Sequence, residues 1–361
     1  MRTPDVFVPA LAGCNRFDRR ASALSSLWRT SALPLTVVLV LVASACAPDD
    51  EASRVEGGGP EITIPPEARA EGAQAVSFLG EMLFPPPLDP ELRASREEDL
   101  VQARADLEAH PEVPENWIWV GRRQAYLGKY REAIETFTQG LERFPDDPRF
   151  HRHRGHRYLT VRDPARARED LEEGLELALQ AEDRVEPDGL PNVLGVPLST
   201  LHFNLWYHLG LARYLQGDWE GAREAWEACL EVSVESELGN PDLEVATSYW
   251  LYLARHRTGN VEEANALLQE LPVAEEVIEN ESYLQLLHLF RGDQEGQELL
   301  DQTEMGSLGG ATLAYGVAMH HLLQGREAEA RALMGRILEE PEQWPAFGYL
   351  AAEAEVARRG W

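Results

Sequence analysis

The sequence predicts an all-α protein built as a solenoid of about six helical hairpins, with helical caps at both ends. Five short phrases carry the first observation: LGKY at Leu127, QGDW at Gln216, TGNV at Thr258, RGDQ at Arg291 and QGRE at Gln324, each flanked by apolar residues at helical spacing. Glycine in that place suits the left-handed conformation that ends a helix and allows a tight reversal, so each phrase marks the turn of a hairpin. The second observation is the spacing of small residues after the turns. Ala133 to Ala167 is 34 residues, Ala167 to Ala222 is 55, Ala222 to Ala264 is 42, and Ala264 to Gln297 and Gln297 to Ala330 are 33 each. A period of about 34 with two insertions is the mark of a repeat architecture. The third is composition: 44% hydrophobic and 26% charged residues belong to a globular chain with enough apolar surface to bury.

The clearest unit is ENWIWVGRRQAYLGKYREAIETFTQGLERFPDDP, Glu115 to Pro148. Trp117, Val120 and Gly121 share one face of its first helix, and Tyr130, Ala133, Phe137 and Leu141 share the inner face of its second, which Pro145 stops. FNLWYHLGLARYLQGDWEGAREAWEACLE, from Phe203, repeats the pattern with Trp206, Leu209, Gly210, Trp219, Ala222 and Trp226. Units near Val245, Ile278 and Ala311 are weaker but in phase. These phrases resemble the tetratricopeptide repeat (TPR). The resemblance covers roughly residues 112–340 and implies a right-handed superhelix whose concave groove is lined by the first helix of each pair. No hairpin can bury its apolar face alone, so stacked neighbours form one continuous core.

The elements follow in order. Residues 1–45 hold five arginines and two acids, then LPLTVVLVLV and ASAC, a basic lead with an apolar stretch too short to span a bilayer. ASAC, Ala43 to Cys46, resembles a bacterial lipobox, with Ala43 where that family usually has leucine. The resemblance implies a lipoprotein signal peptide over 1–45, cleavage before Cys46 and lipidation of Cys46 by two or three chains, enough for stable anchoring. By analogy with enterobacterial sorting, Ala47 after the cysteine leans toward the outer membrane, facing the periplasm. Residues 46–66, rich in Pro, Gly and charge, read as a disordered tether. Capping helices are expected over 67–111: Ala68–Phe84, with Val76, Leu79 and Leu83 on one face, and Glu91–His110. Repeats occupy 112–343, interrupted by an insertion at 182–202, and 344–361 forms a carboxy-terminal capping helix with Phe347 and Leu350 turned inward.

Charge narrows the partner. With 62 Asp and Glu against 33 Lys and Arg, the net charge of −29 repels nucleic acid and anionic lipid surfaces. Cys14, Cys46 and Cys229 form no disulfide or zinc pattern, and Cys229 falls on an apolar helical stripe, as a buried thiol would. No Walker loop, HExxH, GxSxG or CxxC is present, and no cofactor or metal is expected.

Against that acidity, RFHRHRGHRYL, Arg149 to Leu159, is the exception. In register it is the first helix of the second unit, with Arg149, Arg152 and His156 on the concave side and His151 and Arg154 at core positions. Three readings are weighed: an ion network paired with Asp146, Asp147, Glu169, Asp170, Glu172 and Glu173, an anion-binding patch extended by Arg122, and a metal site on His153 and His156, which lacks a visible third ligand. The Lys and Asn clamp that some TPR domains use for a chain-terminal carboxylate is not reproduced. The insertion, long and broken by Pro and Gly yet carrying Val193, Leu194, Val196 and Leu198, is expected either to fold back over the groove or to pack as a spacer at the solenoid edge. The partner-binding groove is expected from Arg122, Arg149, Arg152, His156, Asn204, Tyr207, His208, Tyr249, His256 and Tyr315. The function expected is a non-enzymatic, membrane-anchored scaffold that takes a protein or peptide segment in the cell envelope. The alternatives are a periplasmic small-ligand receptor associated with a transporter, with a closed pocket under the insertion, and a histidine- or metal-dependent enzyme.

Overall fold

A computed structural model of the chain describes residues 64–361 apart from 270, 304 and 305. The signal segment, Cys46 and the tether up to residue 63 lie outside the described residues. Ile64 is buried and the first helix, α1, spans Pro66–Ala70. It is followed by α2 (Pro90–Ala109) and by six hairpins: α3 (Pro114–Tyr126) with α4 (Tyr130–Arg143), α5 (Pro148–Thr160) with α6 (Pro164–Ala178), α7 (Leu201–Gln216) with α8 (Trp219–Val234), α9 (Pro241–Arg257) with α10 (Val261–Ala266), α11 (Glu281–Arg291) with α12 (Gly296–Asp301), and α13 (Leu308–Leu323) with α14 (Glu327–Leu338). The last helix, α15, spans Phe347–Arg359. This is an all-α TPR-type solenoid.

Local chemistry sets the helix starts. Proline occupies the first turn of α2, α3, α5, α6 and α9, where its missing N–H costs nothing. Side chains of Asp89, Asp147, Asp163, Asp218 and Asn240 accept from the free backbone N–H groups of the helices they precede. The five turn glycines expected from sequence, Gly128, Gly217, Gly259, Gly292 and Gly325, all have positive φ, between 73° and 91°. Ala133, Ala167, Ala222, Ala264 and Ala330 are wholly buried, each five residues after the turn residue of its hairpin. Gln297 departs from that register and is exposed. In the fifth hairpin the second helix begins four residues after its glycine instead of two, which places Gly296, against Val317, in the small-residue position.

Two expectations are corrected. The stretch 71–84 is not a helix. Ala75–Val76 (β1) and Met82–Leu83 (β2) pair antiparallel around a turn in which Ser77 Oγ accepts from the N–H groups of Leu79 and Glu81. Gly72 and Gly80 adopt positive φ there, so Val76 and Leu83 are buried while Leu79 sits exposed at the turn. The carboxy-terminal helix is also more than an end cap. Besides α13 and α14 it reaches hairpins far away in sequence. Glu353 is buried and accepts from Arg162 (2.7 and 3.3 Å) and from the Phe78 N–H. Glu355, equally buried, pairs with Arg257 and Arg358, both at 2.7 Å, and with Arg359. Trp344 packs edge-on against Tyr130 and donates to the Phe84 carbonyl. Arg358 donates to the Leu215 carbonyl, and the guanidinium groups of Arg257 and Arg358 lie over the Trp219 ring at 4.8 and 4.7 Å.

Arg162 occupies the hairpin turn where the other five units have glycine, and it is the one non-glycine residue with positive φ (66°) among the described residues. A left-handed backbone costs an ordinary residue about 1–2 kcal/mol. The side chain offsets this. Its guanidinium donates to Glu353 and to the carbonyls of Thr160 and Trp344 while lying 4.9 Å over the Trp344 ring. Arg162→Gly relieves the backbone but leaves Glu353 without its cation, and removing one partner of a buried pair costs about 3–5 kcal/mol. The net expectation is a loss of roughly 1–4 kcal/mol in urea unfolding; an unchanged or raised midpoint would show that the pair contributes little.

Candidate functional site

The site is built from the first helices of the first three hairpins and roofed by the insertion. Arg122 comes from α3, Arg152, His153, His156 and Arg157 from α5, and Asn204 and His208 from α7. Residues 152, 153, 156 and 157 fall on one stripe of α5 through its 3.6-residue period.

The insertion closes on itself at its base: Val185 pairs with Thr200, and the Glu186 N–H donates to the Ser199 carbonyl. It then folds back toward α3, where Arg122 donates to the Pro187 carbonyl (2.8 Å) and Arg123 to that of Gly189 (3.3 Å). On the far side Asn192 donates to Glu279, just before α11. Asn192 Oδ1 also accepts from the N–H groups of Leu194 and Val196 and so shapes the tip, where Val193 is 93% exposed.

Glu186 is buried under this roof. It lies 2.8 Å from Arg152 Nε, accepts from Asn204 Nδ2 and sits 3.7 Å from His153 Nε2. Arg152 also donates to His153 Nδ1 at 2.9 Å. His156 stands 4.4 Å from the His208 ring and 5.4 Å from Phe347, and His208 Nδ1 bonds the Asn204 carbonyl. Burial, reinforced by neighbouring arginines, holds the imidazoles neutral: it pushes His208 down to about 3 and carries His153 and His156 well below the usual range. Burial lowers Arg157 to about 10, partly opposed by Tyr130, whose ring lies 5.6 Å away. Burial raises Asp188 against the pull of Arg122. Beside His156 opens a cavity of about 340 Å³, walled by Ser282, Tyr283, Thr312, Pro345 and Phe347.

The arginine-rich helix thus divides into two parts. Arg149 pairs with Asp147 and Glu115 at the helix start, and Arg154 forks onto Asp170 at 2.6 and 2.8 Å, with His151 3.2 Å from the same carboxylate. That half is an ion network at a repeat junction. His151, Asp170 and Glu173 come within 4.8 Å of one another, but Asp170 is already committed to Arg154. The other half faces the roofed site.

Of the expected groove residues, Arg122, Arg152, His156, Asn204 and His208 are brought together. Arg149 is spent on its own carboxylates, and His256 packs on Tyr252 at 4.6 Å. The tyrosines are corrected to core residues. Tyr249 and Tyr315 are wholly buried and Tyr207 nearly so, in a cluster where Trp250 donates to Tyr207 and the hydroxyls of Tyr214 and Tyr315 lie 2.9 Å apart. The hydroxyls of Tyr207, Tyr214, Tyr283 and Tyr315 are satisfied by one another and by the Trp250 N–H, whereas the buried Tyr249 hydroxyl has no hydrogen-bond partner among the described residues. The expected groove set leaves out Arg157, His153 and Glu186; the helical stripe on α5 carries the first two, and His153 is otherwise expected only as a metal or enzyme candidate.

Comparison with known proteins agrees with this architecture. Tetratricopeptide repeat models match residues 121–183 and 205–232, so the chain carries these repeats. Comparison with curated proteins returns no match. Among solved structures the chain is similar to a tetratricopeptide repeat protein from Parabacteroides merdae ATCC 43184, at 17% identity, covering 73% of this chain and 98% of that one with a TM-score of 0.42. It is similar to MamA at 13% identity, covering 58% and 99%, TM-score 0.38. It is also similar to YrrB, described as a TPR protein with an unusual peptide-binding site, at 12% identity, covering 66% and 91%, TM-score 0.36.

The depressed histidines make stability depend on pH. In the unfolded chain they titrate near the ordinary value of about 6.5, and in the folded protein far lower. The unfolded state therefore binds more protons below that value. Their contribution is intact above pH ~6.5 and is lost as pH falls from there toward 3, by up to about 1.4 kcal/mol per pH unit for each site. In His208→Gln, urea midpoints between pH 6.5 and 5 should fall less steeply than in the wild type; parallel curves would mean that His208 is already charged when folded.

Proposed function

We propose that the chain is a non-enzymatic, lipid-anchored scaffold of a bacterial cell envelope that receives a protein or peptide partner at the roofed basic site. One observation carries this reading: in a chain of net charge −29, Arg122, Arg152 and Arg157 converge with neutral histidines on the inner side of the first three hairpins. TPR-type solenoids present such inner faces to partners, and arginine suits the binding of acidic groups. Anchoring through Cys46, export to the periplasm and residence at the outer membrane rest on the amino-terminal sequence alone.

A second reading, a small-ligand receptor, is favoured by the cavity of about 340 Å³, which falls in the size range of small-molecule pockets. Experiments at the roofed site and at the anchor test the proposal. A photo-crosslinker at Val193 should trap a partner in envelope membranes, and deleting Glu186–Leu198 should abolish capture of that partner while leaving helicity intact. Capture that survives the deletion removes the roofed site from the account, and a small molecule retained 1:1 in native mass spectrometry would favour the receptor. Cys46→Ser should move the protein from membrane to soluble fractions, and the wild-type amino-terminal peptide should carry acyl mass; an unmodified Cys46 contradicts the anchor.

A further inference from the structure

The cavity beside His156 has one acid in its wall and no ionised base. Glu279 is the acid; His156, the only basic side chain there, is kept neutral by burial and by the nearby Arg157. Glu279 makes no ion pair among the described residues: its carboxylate accepts from the Asn192 amide at 2.7 Å, and the charged groups that act on it, Asp188 and Asp242, are both negative. Burial, together with those two carboxylates, raises the Glu279 carboxyl above its usual range against the pull of that hydrogen bond. One oxygen of Asp188 is itself buried without a hydrogen-bond partner among the described residues. Asp242 accepts from the backbone N–H groups of Ile278, Glu279 and Asn280 at 2.8, 2.7 and 2.9 Å, so the segment that carries Glu279 is pinned before any ligand arrives.

The rest of the wall suits the uncharged part of a ligand. Tyr283 and Phe347 give it an apolar body, and Ser282 adds a hydroxyl. At about 340 Å³ the cavity falls in the range of small-molecule pockets and has room for a group the size of a lysine or arginine side chain. Its two ends differ in charge. Near His156 the arginines of α5 supply positive charge, and Arg152 among them is answered by Glu186. Around Glu279 carboxylates gather without a cation. A positive head therefore belongs at Glu279, with its stem toward Phe347. Low-dielectric walls focus such a field, and a chain of net charge −29 draws cations from solution while it turns anions away.

We infer that this cavity binds an organic cation, an ammonium or guanidinium group on a short apolar stem, with Glu279 as its counter-ion and Tyr283 and Phe347 against the stem. The inference deepens the reading of this cavity as a ligand site, on which it rests, by naming the ligand's charge and class. A free amine and a basic side chain of a partner share that chemistry.

The test is the melting midpoint of the mature full-length protein at neutral pH with n-pentylamine, n-butylguanidine or acetyl-glycyl-lysyl-glycinamide, each against sodium chloride at matched ionic strength. The uncharged 1-pentanol, of the same shape as the amine, is the control ligand. At least one cation should raise the wild-type midpoint by about 2 °C or more once it saturates, and 1-pentanol should not. Glu279→Gln keeps an oxygen for Asn192 and should lose the shift. Glu98→Gln removes the same charge from an exposed position on α2 and should keep it. The amine or guanidine acting without the tripeptide assigns a free organic cation, and the tripeptide acting assigns a basic side chain of a partner; either supports the site. Three results overturn the inference: no shift with any cation, an equal shift with 1-pentanol, or an undiminished shift in Glu279→Gln. The two readings fail separately. A small molecule retained in native mass spectrometry by a protein that ignores all three cations leaves the receptor and removes the cation; a shift with the tripeptide alone, with nothing retained, does the reverse.

Discussion

Glu353 and Glu355 lie two residues apart on α15, both buried, and between them they hold the turns of hairpins that are distant in sequence. Glu353 takes Arg162 from the second turn and the Phe78 N–H from the amino-terminal β-hairpin, and Glu355 takes Arg257 from the end of α9. Two carboxylates taken out of water are expensive, and their cations repay that only with good geometry and further hydrogen bonds. Both conditions are met: the Arg162 guanidinium reaches two backbone carbonyls besides Glu353, and Glu355 receives three arginines. The arginines outweigh burial and hold the Glu355 carboxyl below its ordinary range. The left-handed backbone at Arg162 is the local cost of putting a guanidinium where a glycine would have sufficed for the turn.

This closure shapes the inner face. An open solenoid offers a continuous groove along its first helices, and stability is a sum of neighbour terms. Here α15 and the segment before it bring Trp344 onto Tyr130 and Phe347 onto His156, so the far end of the repeat array meets its beginning. The insertion spans the other side, from Arg122 to Glu279. What is left is a cavity of about 340 Å³ between His156, Glu279, Tyr283 and Phe347, in place of a groove lined by Tyr207, Tyr249 and Tyr315. The tyrosines have become the core that sets the spacing of α7, α9, α11 and α13.

Much of the architecture was legible in sequence because each hairpin must solve the same local problems. A tight reversal needs a left-handed residue, and helix pairs packed closely need alanine or glycine; both leave a periodic trace, as at Gly217 and Ala222. The second turn left no trace because Arg162 replaces the expected glycine, for reasons that lie 191 residues away in Glu353. The stretch 71–84 misled because Val76, Leu79 and Leu83 have helical spacing, whereas Gly72 and Gly80 select a hairpin. At the site, composition singled out the arginine-rich helix and the insertion correctly, but periodicity alone places a tyrosine on a face without saying what covers that face. Tyr249 is covered by Tyr283 of α11, and Tyr315 by Tyr214 of α7 and Trp250 of α9. Which carboxylate each arginine of α5 meets also depends on contacts from α3, α6 and the insertion, which no local pattern encodes.

The claim that α15 closes the array, and does not simply cap its end, is tested most directly by hydrogen exchange in a Glu353→Gln/Glu355→Gln variant. Closure predicts that protection falls at the turns near Tyr130, Arg162 and Gly217 and in the 75–83 hairpin, together with α15. A fall confined to α13, α14 and α15 would contradict it and return the last helix to the role of an ordinary cap.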